Sequence, residues 1–252
     1  MKILFSLCLL TSLLVFADDH EEDKPMYEAN VAEYYFSSFK EGKDMDDMMK
    51  WAEKWNAWAN ETDDLKDYTA ALLVPYYHSG EQPHDFVWVG LSPNPEAHFK
   101  GNDHWFNNGG KLLAELNKIL VTGLQTTYTW QSNVSQTPSG QASYAVYSDC
   151  TLGEDVTADA FYEAYVAYAE AAKKLGDIAG RKMIFPTSGV PSTWDHDFVQ
   201  LVMTDSIADY GKNWTDFWSD ATTESMPELK ALSDLGGSCE NERTYAIVPV
   251  RS

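Results

Sequence analysis

The tetrapeptide His84-Asp85-Phe86-Val87 returns as His196-Asp197-Phe198-Val199, 112 positions downstream. The match alone decides little, because a chance tetrapeptide repeat in a chain this long is roughly an even bet. The flanks carry the case. Upstream of each copy an apolar run closes on proline, Leu72-Leu73-Val74-Pro75 and Met183-Ile184-Phe185-Pro186. A polar loop with Ser79-Gly80 or Ser188-Gly189 follows each run. Downstream come Lys100 and Lys212, then Trp105-Phe106 and Phe217-Trp218, then Glu115-Leu116 and Glu228-Leu229. One order, at offsets of 109 to 113, marks an internal duplication whose period is too long for a solenoid. It divides the chain into residues 27–136 and 143–252, joined by a linker over 137–142. Each unit, at about 110 residues, is large enough for its own core.

Within each unit the apolar period switches in a fixed order. Residues 27–39 read as a strand, rich in Tyr, Phe and Val. Residues 44–60 read as a helix, because Met48, Trp51, Trp55 and Trp58 recur at helical spacing on one face. Strands are predicted at 68–77 and 84–91, then a broken helical stretch over 95–120 interrupted at Gly109-Gly110, then a strand at 125–134. The second unit repeats this: strand 143–150, helix 157–175, strands 181–185 and 196–203, broken helix 206–220. It ends with a helix over 225–235, opened by a Ser225/Glu228 capping box, and a strand over 243–250. The order β-α-β-β-α-β is the split βαβ, ferredoxin-like arrangement, so the class is α+β.

The duplication, the element order and the broken second helix of each half resemble the dimeric α+β barrel superfamily, in a tandem, fused form. The resemblance implies that two ferredoxin-like units pack sheet against sheet into one barrel within a single chain, so that a monomer suffices. It implies no single activity. The superfamily includes cofactor-free monooxygenases, haem-degrading enzymes and isomerases, and fold alone does not choose among them. In a ferredoxin-like unit the first and last strands are antiparallel neighbours. That places Cys150, closing one strand, beside Cys239, just before the other, and predicts a disulfide in an oxidising compartment.

The N-terminus points to such a compartment. Residues 1–17 read as a secretory signal peptide: Lys2, an apolar run over 3–16, and cleavage after Ala17. The run is too short to span a bilayer comfortably. An acidic, disordered lead-in is expected over 18–26. The expected location is periplasmic or secreted. A net charge of −21 argues against nucleic acid or an anionic membrane as partner.

Three sets of residues are candidates for a site. Trp51 and Trp55 on the first helix, Trp88 on the third strand and Trp105 either pack on the sheet or also line a pocket between helix and sheet. His84 and His196 open equivalent strands, as acid/base groups or ligands, or as structural strand starts. His98, His104 and Asn107 lie in the first half where the second has Tyr210, Asp216 and Ser219. Haem-degrading members of the superfamily use His, Trp and Asn in this region, so His98 and His104 are the catalytic candidates that the resemblance implies. No metal-ligand spacing, nucleophile elbow or phosphate loop is present. Three readings stay open: an exported binder of a small apolar or aromatic molecule, a cofactor-free or haem-linked enzyme, and a structural or interaction scaffold.

Overall fold

Strand alternation sets the architecture seen in a computed structural model, which describes residues 29–77, 83–121, 125–218, 221–222 and 224–252. The expected signal peptide and acidic lead-in lie outside these. The first half contains β1 (Ala29–Ser37), α1 (Met45–Asn60), β2 (Thr69–Pro75), β3 (Phe86–Ser92), α2 (Pro95–Asn108), α3 (Gly110–Leu116) and β4 (Thr126–Ser135). The second contains β5 (Tyr144–Leu152), α4 (Ala158–Lys174), β6 (Gly180–Ser188), β7 (Phe198–Thr204), α5 (Ile207–Asn213), α6 (Pro227–Asp234) and β8 (Gly237–Arg251). A π-helical turn, Trp214–Trp218, continues α5.

Each half is a four-stranded antiparallel sheet, ordered β4-β1-β3-β2 and β8-β5-β7-β6. Pairing of β2 with β8 and of β4 with β6 closes the two sheets into one eight-stranded barrel. Because side chains alternate along a strand, Val87 and Val89 point into the barrel with Tyr34, Leu73, Tyr147, Ile184, Leu201 and Tyr245. Phe86 and Trp88 point outward under the helices, against Met48, Trp51 and Trp55 of α1. The second half builds the matching outer layer from Tyr165, Tyr168, Ala169, Met183 and Phe198. Three apolar cores result, one inside the barrel and one under each helical layer.

The repeated His-Asp pair acquires a structural role through its aspartate. Asp85 Oδ2 accepts from the Phe39 amide at 2.7 Å while its own amide donates to the Ser37 carbonyl. Asp197 Oδ2 accepts from the Leu152 amide at 2.7 Å while its own amide donates to the Cys150 carbonyl. Each aspartate thus ties the start of one strand to the end of its neighbour. Glycine at the break between α2 and α3 has a steric reason. A Cβ at Gly109 would stand 2.2 Å from the Trp105 ring, which folds back over it.

Two local expectations fail. His84 lies outside β3, which begins at Phe86 and not at position 84; it stacks on Tyr245 and meets Phe36, on the barrel side. The Ser225/Glu228 capping box does not form. Pro227 fixes the first turn of α6, Met226 takes the cap position, and Ser225 bonds to Thr222 instead.

Cys150 and Cys239 face each other across β5 and β8 and are joined, 89 positions apart in sequence. A link closing a loop of that size restricts the unfolded chain strongly, by about 2–5 kcal/mol. The double substitution Cys150→Ala/Cys239→Ala is expected to lower unfolding free energy by that amount in urea titrations, with the barrel retained by circular dichroism.

Candidate functional site

The outward face of β1 carries Val31, Glu33 and Tyr35; Val31 and Glu33 are buried, and Tyr35 is exposed at the rim. Glu33 is only 9% exposed. Its carboxylate accepts from the Tyr68 hydroxyl at 2.7 Å, from the Tyr35 hydroxyl at 2.9 Å and from the Asn102 amide at 3.4 Å. The Trp88 indole donates to the Tyr68 hydroxyl at 3.1 Å. Tyr68 reaches Glu33 because position 90 is glycine: a Cβ there would stand 1.6 Å from the Tyr68 hydroxyl oxygen. Burial, reinforced by the Glu33 charge, pushes both phenols far above the ordinary range, so each remains a hydrogen-bond donor.

Glu33 forms one wall of a cavity of about 260 Å³ between α1, α2, α3 and the sheet. Trp51, Trp55, Trp88 and Trp105 line it with Met48 and Tyr68. The Trp55 and Trp88 rings stand at 83° with centroids 4.9 Å apart, and Trp51 and Trp88 at 70° and 6.0 Å. The aromatic stripe expected on the first helix, with Trp88 and Trp105, therefore converges on one space. A neighbouring recess, lined by His98, Phe99, Tyr128 and Ser188, shares Glu33, Tyr35, Asn102 and Thr126 with it.

The histidine candidates do not converge. His98 is 2% exposed, its Nε2 2.9 Å from the Asn102 side chain and 3.7 Å from Glu33, its Nδ1 3.4 Å from Ser92 Oγ. Asn102 also donates to Glu33, so its amide faces the unprotonated Nε2 and the proton sits on Nδ1. Burial, partly opposed by the Glu33 charge, pulls the His98 pKa below 6.5. His104 lies 3.4 Å from Asp64 and stacks on Trp58, sharing no partner with His98. Asn107 donates to Asp103. His84 sits 3.4 Å from the Tyr245 hydroxyl and His196 3.1 Å from Glu240, both away from the aromatic cavity. Glu33, Tyr68 and Asn102 were missed, because polar positions in a strand or helix read by period alone look solvated.

The second half has a comparable cavity of about 240 Å³, lined by Tyr165, Tyr168, Arg181, Asn213 and Trp218. There the buried charge is matched. Arg181 pairs with Asp177 at 2.5 Å, Asn213 donates to the same carboxylate at 2.8 Å, and the guanidinium lies over the Tyr168 ring. Among the described residues that line the two helix–sheet cavities, no imidazole or thiolate stands as an axial ligand for haem, and no unpaired lysine or arginine faces its propionates. Among the described residues no group of three or more His, Cys, Asp and Glu could hold a metal ion, and no helix is long and apolar enough to cross a membrane.

Comparison with solved structures agrees on architecture. A protein named as a chlorite dismutase superposes over 89% of this chain and 96% of its own, with a TM-score of 0.50 and 13% identity. This chain is a fused dimeric α+β barrel. A protein named as a monooxygenase from Lactobacillus acidophilus aligns with 88% of the barrel and 95% of its own chain, at 11% identity and a TM-score of 0.49. Chlorite dismutase from Candidatus Nitrospira defluvii, in complex with imidazole, aligns with 89% of the barrel and 93% of its own chain, at 11% identity and 0.46. No protein-family model and no curated protein matches the sequence. At 13% identity the first of these likenesses shows the fold alone.

The state of His98 sets a pH dependence. The folded barrel holds it neutral, whereas the unfolded chain takes up a proton at the ordinary value of 6.5. Its contribution to stability is thus present above pH 6.5 and lost as pH falls below that value. Urea midpoints measured from pH 8 to pH 5 are expected to fall through this window, and to fall less in His98→Gln.

Proposed function

We propose that this is an exported protein that binds a small aromatic or apolar molecule in the helix–sheet cavity of its first half. The observation that carries the reading is the convergence of Trp51, Trp55, Trp88 and Trp105 on a cavity of about 260 Å³ that also holds a few placed polar groups. Ligand sites have this character: mostly apolar walls and a small number of groups that fix orientation. An apolar cavity of about 150 Å³ is known to admit benzene, so this one has room for a substituted or bicyclic ring. An enzyme built on His98 and His104 has less support, because these side chains share no partner and neither lines the aromatic cavity. Export is supported by the leader-like sequence of residues 1–17 and by the Cys150–Cys239 bridge, which suits an oxidising compartment.

Two measurements test these statements. Indole titrated into the protein by calorimetry is expected to bind with one-site stoichiometry. Leu113→Trp, which places a ring at the half-exposed mouth of the cavity, is expected to weaken that binding at least tenfold. Absence of binding to the native protein, or equal binding to the variant, would overturn the assignment. Intact mass of the protein recovered from an exporting host is expected to begin at Asp18, with two hydrogens fewer than the reduced chain. A retained residue 1–17 would refute export by cleavage.

A further inference from the structure

Glu33 stands out among the buried carboxylates of the barrel. Asp177 has Arg181 at 2.5 Å, and Asp149 has Arg243 at 2.7 and 2.8 Å. Glu33 has no lysine or arginine partner among the described residues, and the nearest basic group is His98 Nε2 at 3.7 Å. That imidazole is held neutral, with Nε2 receiving the Asn102 amide. Three donors, from Tyr68, Tyr35 and Asn102, converge on the carboxylate oxygens. Such a set suits the acceptor-only, ionised form. A carboxylate held by neutral donors alone has no counter-ion, and buried charges are ordinarily paired.

The fold does not require this charge. Ser37 pairs with Phe86 in the first half, as Cys150 pairs with the equivalent Phe198 in the second. Four residues back along each first strand, Glu33 pairs with Gly90 and Val146 with Val202. The same position is thus filled in the second half by two apolar side chains. In the first half it holds a carboxylate, a glycine that makes room for the Tyr68 hydroxyl, and an aromatic cavity in front of both. An arrangement that costs stability, and that the sister half does without, points to a ligand.

We propose that the first-half cavity recognises an organic cation, an alkylammonium group on a small apolar or aromatic body, with Glu33 as its counter-ion and the tryptophans as its walls. The inference rests on the binding reading above and adds the charge of the ligand. Tryptophan faces attract cations through the ring quadrupole, and the attraction grows where water is excluded. Trp51, Trp55 and Trp88 meet at steep angles instead of stacking, and so form corners of a cage. The rings take the alkyl groups while Glu33 supplies the charge that an apolar body alone would not need. No bond is made or broken in this recognition.

The test uses the mature, disulfide-bonded chain and three probes of similar size: benzylammonium, benzyl alcohol and benzoate. Calorimetry is expected to give a Kd for benzylammonium at least tenfold below that for benzyl alcohol, with no measurable benzoate binding. In Glu33→Gln, which keeps the shape but replaces one acceptor oxygen with an amide donor, the cation advantage over benzyl alcohol is expected to fall below threefold. The titrations are repeated in about 0.5 M salt, where the screening length is only a few ångströms. A preference produced by the acidic surface disappears there, whereas one produced by Glu33 survives. Trp55→Leu leaves the carboxylate in place and is expected to reduce cation affinity at least threefold, which keeps the proposal testable if Glu33→Gln folds poorly. Benzyl alcohol binding as tightly as the cation would overturn the proposal and leave the pocket reading intact. A preference that persists in Glu33→Gln, or that vanishes in salt, would overturn it in the same way. Failure of all three probes, together with indole, would overturn both.

Discussion

Closure of the barrel is the constraint on which everything else depends. Two separate four-stranded sheets would each expose two edges of unpaired backbone groups, which invite association with other chains. Pairing β2 with β8 and β4 with β6 removes all four edges at once. It also buries the inner faces of both sheets against each other, so that Tyr34, Val87, Tyr147 and Tyr245 become one core shared by both halves. Arg251, at the end of β8, reinforces the closure by donating to the carbonyls of Leu65 and Tyr68 and to the side chains of Asn56 and Asn60 in the opposite half. The barrel wall is thereby a rigid floor on which each helical layer rests.

On that floor the two halves diverge. Both have a helix–sheet cavity, and both have polar groups beneath aromatic rings. In the second half the charges cancel locally, with Arg181 and Asp177 locked together and Asn213 completing the set. Asn213 opens an Asn-x-Thr sequence, and its burial makes it part of this network. In the first half the charge of Glu33 is left standing at the edge of a cavity walled by tryptophan. The two halves share one scaffold and depart from symmetry at this position, Glu33 opposite Gly90 in one and Val146 opposite Val202 in the other.

Much of the frame was legible residue by residue. The period of Met48, Trp51 and Trp55 placed three side chains on one helix face, and alternation placed Phe86 and Trp88 together under it. Asp44 caps α1, and Gly109 breaks the second helix where the sequence places a glycine pair. His84 was misplaced because the strand begins two residues later than the apolar pattern suggests, and outside a strand alternation no longer applies. The Ser225/Glu228 pattern misled because a proline at position 227 dictated where α6 starts.

Local pattern alone determined the duplication, the α+β class, the pairing of Cys150 with Cys239 and the aromatic face of the first helix. Those features depend on neighbours in sequence, or on strand partners that a repeated element order already implies. Glu33, Gly90, Tyr68 and Asn102 lie on four different segments, up to 69 positions apart, and none belongs to a recognisable spacing. A glutamate in a strand looks like a solvent-facing residue until a helical layer is laid over it. Only the tertiary structure decides that this face is covered and that, among the described residues, the cover brings Glu33 no lysine or arginine partner.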